Sequence, residues 1–379
     1  MKLIEKDKEF DDIRPFRDEE ISSVMERMVN SAGFEKGMQF MMGKYIAMTD
    51  DADKVDINTD LKAILGNINS IDDFQREIVL KRMLDPMIKH TVDGITSSGL
   101  ERLSKDEAYL FISNHRDITL DPALLNYILL QNGFDTVEIA FGDNLLMNDF
   151  VSDLIRVNKS FIVKRNLPIM EQLGAAKKLS AYMNYVIHRN QSVWIAQREG
   201  RAKDGNDATN PAVLSMISLA SRDSDKPFNE FIKGLKIVPL ALSYEYDPCD
   251  RLKALELFNI RTKGKHEKSP TEDLVSMNRG IAGYKGRIHY SFGEPLLSDF
   301  ENDKEVSKAI DVSIHKGYKL WPTNYAAHDL LNNSREYSSM YSDSEKEKFI
   351  ANSANFPEEV RKIIYEIYAN SVKNSLLHG

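Results

Sequence analysis

Residues 113–123, Ser-Asn-His-Arg-Asp-Ile-Thr-Leu-Asp-Pro-Ala, bring one imidazole and two carboxylates close together in the chain. Histidine titrates near neutrality, so His115 could take a proton from a hydroxyl group and return it later. A carboxylate on the other ring nitrogen would fix the tautomer and stabilise the imidazolium that forms. Asp117 and Asp121 are both near enough in sequence for that task, and the residues alone leave the choice open. Asp121 also precedes Pro122, an arrangement suited to capping a helix N-terminus.

Two later stretches supply cations. In Phe161-Ile162-Val163-Lys164-Arg165 an apolar run delivers Lys164 and Arg165 at its exit. In Val193-Trp194-Ile195-Ala196-Gln197-Arg198-Glu199-Gly200-Arg201-Ala202-Lys203 another run leads through Glu199 and Gly200 to Arg201 and Lys203. Arginine presents a planar fork that matches phosphate oxygens, and glycine lets a backbone approach a ligand closely. Each cation alone reads as an ordinary surface charge. Their repetition after successive strands describes a base beside an anion site, because parallel strands bring their exits to one edge of a sheet.

The elements that must hold these residues are legible as alternating patterns. Short apolar runs recur at residues 108–112, 137–141, 161–163, 193–196, 237–242 and 288–292, with helical stretches at 173–189 and 211–220. That order predicts an α/β fold, a mixed and largely parallel sheet covered by helices. Pro239 within its run predicts an edge strand or a bulge. Before this region, residues 18–90 carry apolar positions at three- and four-residue spacing, such as Ile21, Val24, Met25 and Met28, which predicts an N-terminal helical domain. Met38, Met41, Met42 and Met48 read as filler between those helices. Helix returns at 304–317 and again at 344–376, and the expected divisions are 1–85, 86–330 and 331–379.

With 379 residues and a formal net charge of −8, the composition opposes a nucleic-acid binder with a wholly basic surface. The single cysteine, Cys249, forms no internal disulfide or multi-cysteine metal site and reads as inert. No run reaches the roughly 18–20 apolar residues of a membrane span, and the first residues are charged rather than signal-like. The expected location is the cytoplasm, or the cytoplasmic face of a membrane as a peripheral protein. Residues 261–268 are locally basic and read as a solvated loop.

Taken together, the blocks resemble the glycerolipid acyltransferase superfamily, which includes glycerol-3-phosphate and 1-acylglycerol-3-phosphate acyltransferases. Asn114-His115 with Asp121 resembles its His-Asp motif, and Phe161 to Arg165 its second block. Glu199-Gly200-Arg201 resembles the third, Ile237-Val238-Pro239-Leu240 the fourth, and Phe292-Gly293-Glu294-Pro295-Leu296 a late strand. The likeness spans roughly residues 85–300 and is greatest to the soluble plastid-type glycerol-3-phosphate acyltransferases, which also carry an N-terminal helical domain. His115 and Asp121 enclose five residues where the family has four, and Gln197-Arg198-Glu199-Gly200-Arg201 stands for the usual Phe-Pro-Glu-Gly-Thr-Arg. The resemblance implies transfer of an acyl group from acyl-CoA or acyl carrier protein to a hydroxyl of glycerol 3-phosphate or a lysophospholipid. His115 would be the base with Asp121 or Asp117 in support. Lys164, Arg165, Glu199, Gly200, Arg201 and Lys203 would form the phosphate site, without metal or cofactor; the alternative readings are a non-catalytic lipid-binding homologue and a metal-dependent phosphohydrolase built on His115-Arg116-Asp117.

Overall fold

Apolar runs of four to eight residues bounded by polar turns form the centre of the molecule. A computed structural model describes residues 7–34, 62–146, 148–223, 225–269 and 271–378. The methionines at 38, 41, 42 and 48 lie outside the described residues.

Among the described residues, seven strands make one sheet: β1 (Val92–Ser98), β2 (Leu110–Ser113), β3 (Glu138–Gly142), β4 (Ser160–Val163), β5 (Val193–Ala196), β6 (Ile237–Tyr244) and β7 (Gly286–Phe292). Their order is β1-β7-β6-β2-β5-β3-β4. Every pairing is parallel except β6 with β7. The exits of β2, β3, β4, β5 and β6 therefore share one edge. The fold is the mixed, largely parallel α/β sheet expected from the sequence.

Alternation along the strands divides the core between the two faces. Leu110 and Ile112 of β2 join Phe161, Val193, Ile195 and Ile237 on one side. Phe111 joins Trp194, Val238, Leu240 and Phe292 on the other. The first face is covered by α4 (Ile169–Ile187), α5 (Pro211–Ile217) and α8 (Asp303–Gly317). The second is covered by α2 (Leu120–Gln131), whose Leu124 and Leu125 are fully buried. Such two-sided cover is why the strands read as continuous apolar runs rather than as alternating ones.

The N-terminal region is helical, from α1 (Asp18–Val29) to a stretch comprising Ile71–Phe74, a π-helical segment Gln75–Leu84 and Asp85–Thr91. Its core residues Ile21, Val24, Leu65, Phe74 and Ile78 pack with Phe150 and Val157 of α3 (Asp149–Val157). After β6 come α6 (Asp250–Lys263) and α7 (Glu272–Ala282). The C-terminal helices α9 (Pro322–Asn332), α10 (Asp343–Ser353) and α11 (Glu358–His378) build a further core with Tyr246 and Ala254. The single helical run expected over 344–376 is broken at 354–357, where Pro357 has no N–H to continue a helix.

Two expectations need correction. β1 was not foreseen: Val-Asp-Gly-Ile-Thr-Ser-Ser has little strand character, and among the described strands it pairs with β7 alone, at the sheet edge. Pro239 lies in an interior strand, between β2 and β7, rather than at an edge or bulge. A strand residue points its C=O and N–H positions to the same side. The Pro239 carbonyl accepts from Gly293 N at 2.8 Å, just past the last β7 residue, so the missing N–H faces the point where that ladder has ended.

Candidate active site

β2 ends at Ser113, and the chain turns through His115 into α2. The turn is fixed from below by buried polar contacts. The Asn114 side chain donates to Leu242 O at 3.0 Å and accepts from Leu242 N at 2.7 Å, tying the exit of β2 to β6. Arg116 pairs with buried Asp207, and Lys253 Nζ donates to Arg116 O at 2.8 Å while pairing with Asp247. Trp194 Nε1 donates to Ser113 Oγ at 3.0 Å, and its ring meets the His115 ring edge to face at 5.8 Å.

The structure separates the two aspartates. His115 Nδ1 lies 2.8 Å from Asp121 Oδ2, which also accepts from Arg116 N at 2.6 Å and Asp117 N at 3.0 Å. Tyr244 OH donates to Asp121 Oδ1 at 3.0 Å. A fully buried carboxyl ringed by donors is held as an acceptor, so the imidazole meets it with Nδ1–H. Nε2 is then left with its lone pair. Asp117 instead accepts from Thr119 N at 2.9 Å and Leu120 N at 2.8 Å, which caps the start of α2. Its other oxygen rests against Gly280 of α7, where an added Cβ would clash. Burial first, and the neighbouring Asp121 second, push the Asp117 carboxyl above its usual range. The capping expected of Asp121 therefore belongs to Asp117, because α2 begins at Leu120 and places Asp121 inside its first turn.

His115 opens onto a cleft of about 530 Å³. The same cleft is lined by Lys164, Arg165, Glu199, Gly200, Arg201 and Lys203, the residues expected at the exits of β4 and β5. Arg198 and Lys268 also line it, giving six cationic side chains against the carboxylates of Glu199 and Asp273. In a chain of net charge −8, this is a local positive field in a concave wall, which suits an anionic ligand. Ile118, Phe141, Val163, Val213 and Met216 form apolar parts of the lining.

Each expected phosphate-site residue has a definite place. Arg165 lies across Gly142, where a Cβ would come within 3.0 Å of its Cζ, and pairs with Glu199 at 3.4 Å. Glu199 offers no donor to a phosphate; it holds the Arg165 guanidinium. Lys164 is paired with Asp12, which also binds Lys178 at 2.8 Å, and so leans toward a neighbouring cavity as well as the cleft. Arg201 donates to Ser276 Oγ, and Lys203 pairs with Glu256. Gly200 has φ +70, a left-handed conformation that favours glycine, with open space beside its Cα.

Sequence reasoning missed Arg198, although it sits within the β5 exit, and missed Tyr244, whose partner Asp121 lies 123 positions away. It read residues 261–268 as a solvated loop. In the fold Arg261 to Lys263 belong to the last turn of α6, residues 264–268 are the expected loop, exposed except for half-buried His266, and Lys268 also lines the cleft while bonding Asp273 Oδ2 at 2.7 Å. Cys249 is buried, and that burial pushes its thiol up to about 12, which leaves it unreactive. Among the described residues, Glu256, His266 and Glu272 bring donor atoms within metal-ligand reach of one another. Lys203 already occupies Glu256, His266 bonds Glu272 at 2.9 Å, and neither His115, Asp117 nor Asp121 belongs to that group. No helix among the described residues is long and apolar enough to cross a membrane.

Residues 94–243 match the family model described as Acyltransferase, a span that holds His115, Asp121, Arg165 and Arg201. No curated protein sequence matches the chain. Among solved structures, the chain is similar to the 1-acyl-sn-glycerophosphate (LPA) acyltransferase from Thermotoga maritima, at 11% identity and a TM-score of 0.36, over 78% of this chain and 94% of that one.

Proposed function

We propose that this protein transfers a fatty acyl group from a thioester, acyl-CoA or acyl carrier protein, to a hydroxyl of glycerol 3-phosphate or a lysophospholipid. The observation that carries the reading is the His115–Asp121 pair on the wall of a cation-lined cleft. The acyltransferase family match over residues 94–243 supports it.

The chemistry follows from the ring's orientation. Nε2 of His115 takes the acceptor hydroxyl proton as that oxygen attacks the thioester carbonyl, and Asp121 stabilises the imidazolium through Nδ1–H. On collapse of the tetrahedral intermediate the C–S bond breaks, and Nε2–H returns the proton to the departing thiolate. The new ester keeps the acyl carbon; the free thiol is the second product. Positioned base catalysis of this kind contributes roughly 10² to 10⁴ in rate. Arg165, Arg198, Arg201 and Lys203 bind the acceptor phosphate, which fixes its hydroxyl beside the base and converts a bimolecular step into an oriented one. The apolar lining beside His115 receives the acyl chain. Direct attack on the thioester is the favoured path because buried Cys249 cannot serve as an intermediate acyl carrier.

A panel of acceptors with one acyl-CoA tests the reading. Free thiol should appear only with a hydroxyl acceptor that carries a phosphate, and the lipid product should carry the new ester. Thiol release indifferent to every acceptor would reject it.

A further inference from the structure

The first turn of α4 carries three large apolar side chains in water. Ile169 is 86% exposed, Met170 94% and Leu173 58%. Single exposed apolar residues are ordinary, but three within five positions form a contiguous projection that water does not favour. At 100° per residue, Ile169, Leu173, Lys177 and Met170 fall within an arc of roughly 100° on the helix. Glu171 falls on the opposite side. Gln172 and Ala176 lie on the adjoining flank and line the cleft that holds His115. The projection thus stands at the cleft mouth.

We propose that this turn of α4 is the element by which the protein rests on an anionic lipid surface, with the cleft opening toward the bilayer. The choice of a lipid surface rests on the acyl-transfer reading, since the substrates and product of that reaction are amphiphiles. The shape agrees with it: a convex apolar ridge enters an acyl layer readily, whereas a protein partner would need a matching groove. The charges agree as well. Lys177 shares the apolar arc, and Lys164 and Arg165 stand just before the helix in part-exposed pairs with Asp12 and Glu199 that can re-aim, so cationic side chains flank the ridge. An amphiphile could then place its phosphate among the cleft cations while its chain stays close to the bilayer.

Sedimentation of the full-length protein with two kinds of vesicle tests this, one of phosphatidylcholine alone and one of equal parts phosphatidylcholine and phosphatidylglycerol. The wild type should bind the mixed vesicles more strongly. The double variant Met170→Asp/Leu173→Asp should lose binding by more than about tenfold, since each buried side chain of this size is worth at least a factor of ten. Both proteins should turn over a short-chain acyl-CoA with glycerol 3-phosphate, soluble in water, at equal rates, which also shows that the variant folds. Equal vesicle binding by the two proteins would overturn the proposal, as would a wild type that binds no vesicle or a dimer that the variant dissociates. Absence of turnover in both proteins with glycerol 3-phosphate and also with a short-chain lysophosphatidate would reject the acyl-transfer reading, while vesicle binding would still decide the docking element by itself.

Discussion

The exit of β2 and the exits of β4 and β5 lie on one edge of the same sheet, yet they are built in opposite ways. At β2 the supporting carboxylate is fully buried and multiply bonded: Asp121 accepts from His115, two backbone N–H groups and Tyr244, and the turn beneath stands on Asn114, Arg116 and Lys253. At β4 and β5 the cations are half-exposed and held by carboxylates such as Glu199, Glu256 and Asp12. A general base needs one geometry, and a buried network imposes it. An anion site needs charge that can re-aim, and exposed pairs worth little in water give way to a phosphate. On the proposed mechanism, stability and chemistry are therefore fused in the first region and separable in the second.

The largest expected effect comes from breaking the buried half. Asp121→Ala strands donors from Arg116, Asp117 and Tyr244 and removes the partner of His115. It should cost about 3–5 kcal/mol of stability together with most of the activity, read by denaturant unfolding and by thiol release. Next, Arg165→Ala or Arg201→Ala should raise the KM for a phosphate-bearing acceptor by roughly tenfold with little change in unfolding, and added salt should weaken wild-type binding in the same direction. Lys164→Ala sharpens the comparison further. Because Asp12, shared with Lys178, draws its ammonium toward the neighbouring cavity, the change in KM should be smaller, within about threefold.

The smallest effect concerns pH. Lys285 is buried behind the β2 turn, near Asp117, and bonds Thr91 Oγ1 and Ile281 O at 2.9 Å. Burial pushes its ammonium from 10.5 down to about 7. The unfolded chain therefore holds more protons than the folded one between those values, and stability rises as pH climbs from about 7 toward 10. Lys285→Met should flatten that rise, by roughly 1–2 °C in Tm for each kcal/mol removed in a chain of this length, as followed by thermal unfolding.

The sequence carried the sheet well because strands covered on both faces are apolar throughout, as in Leu110 to Ile112 and Val193 to Ala196. It carried the cleft because parallel strands bring their exits together whatever the intervening chain does. It did not carry β1, whose residues have little strand propensity and depend on β7 for pairing. Nor could it choose between Asp117 and Asp121. That choice depends on where α2 begins, a matter of one residue, and on Tyr244, which reaches back from the far end of β6. The partners of Lys164 and Lys203 lie 152 and 53 positions away, so spacing gave no sign of them.

On the proposed mechanism, His115 Nε2 is the base for acyl transfer to a hydroxyl. That role is tested most directly by comparing wild type and His115→Ala for acceptor-dependent thiol release from one acyl-CoA, with unfolding measured on both. The expected result is a loss of about 10² to 10⁴ in rate with the folded state retained. A His115→Ala protein that releases thiol at the wild-type rate with a competent acceptor would contradict the account.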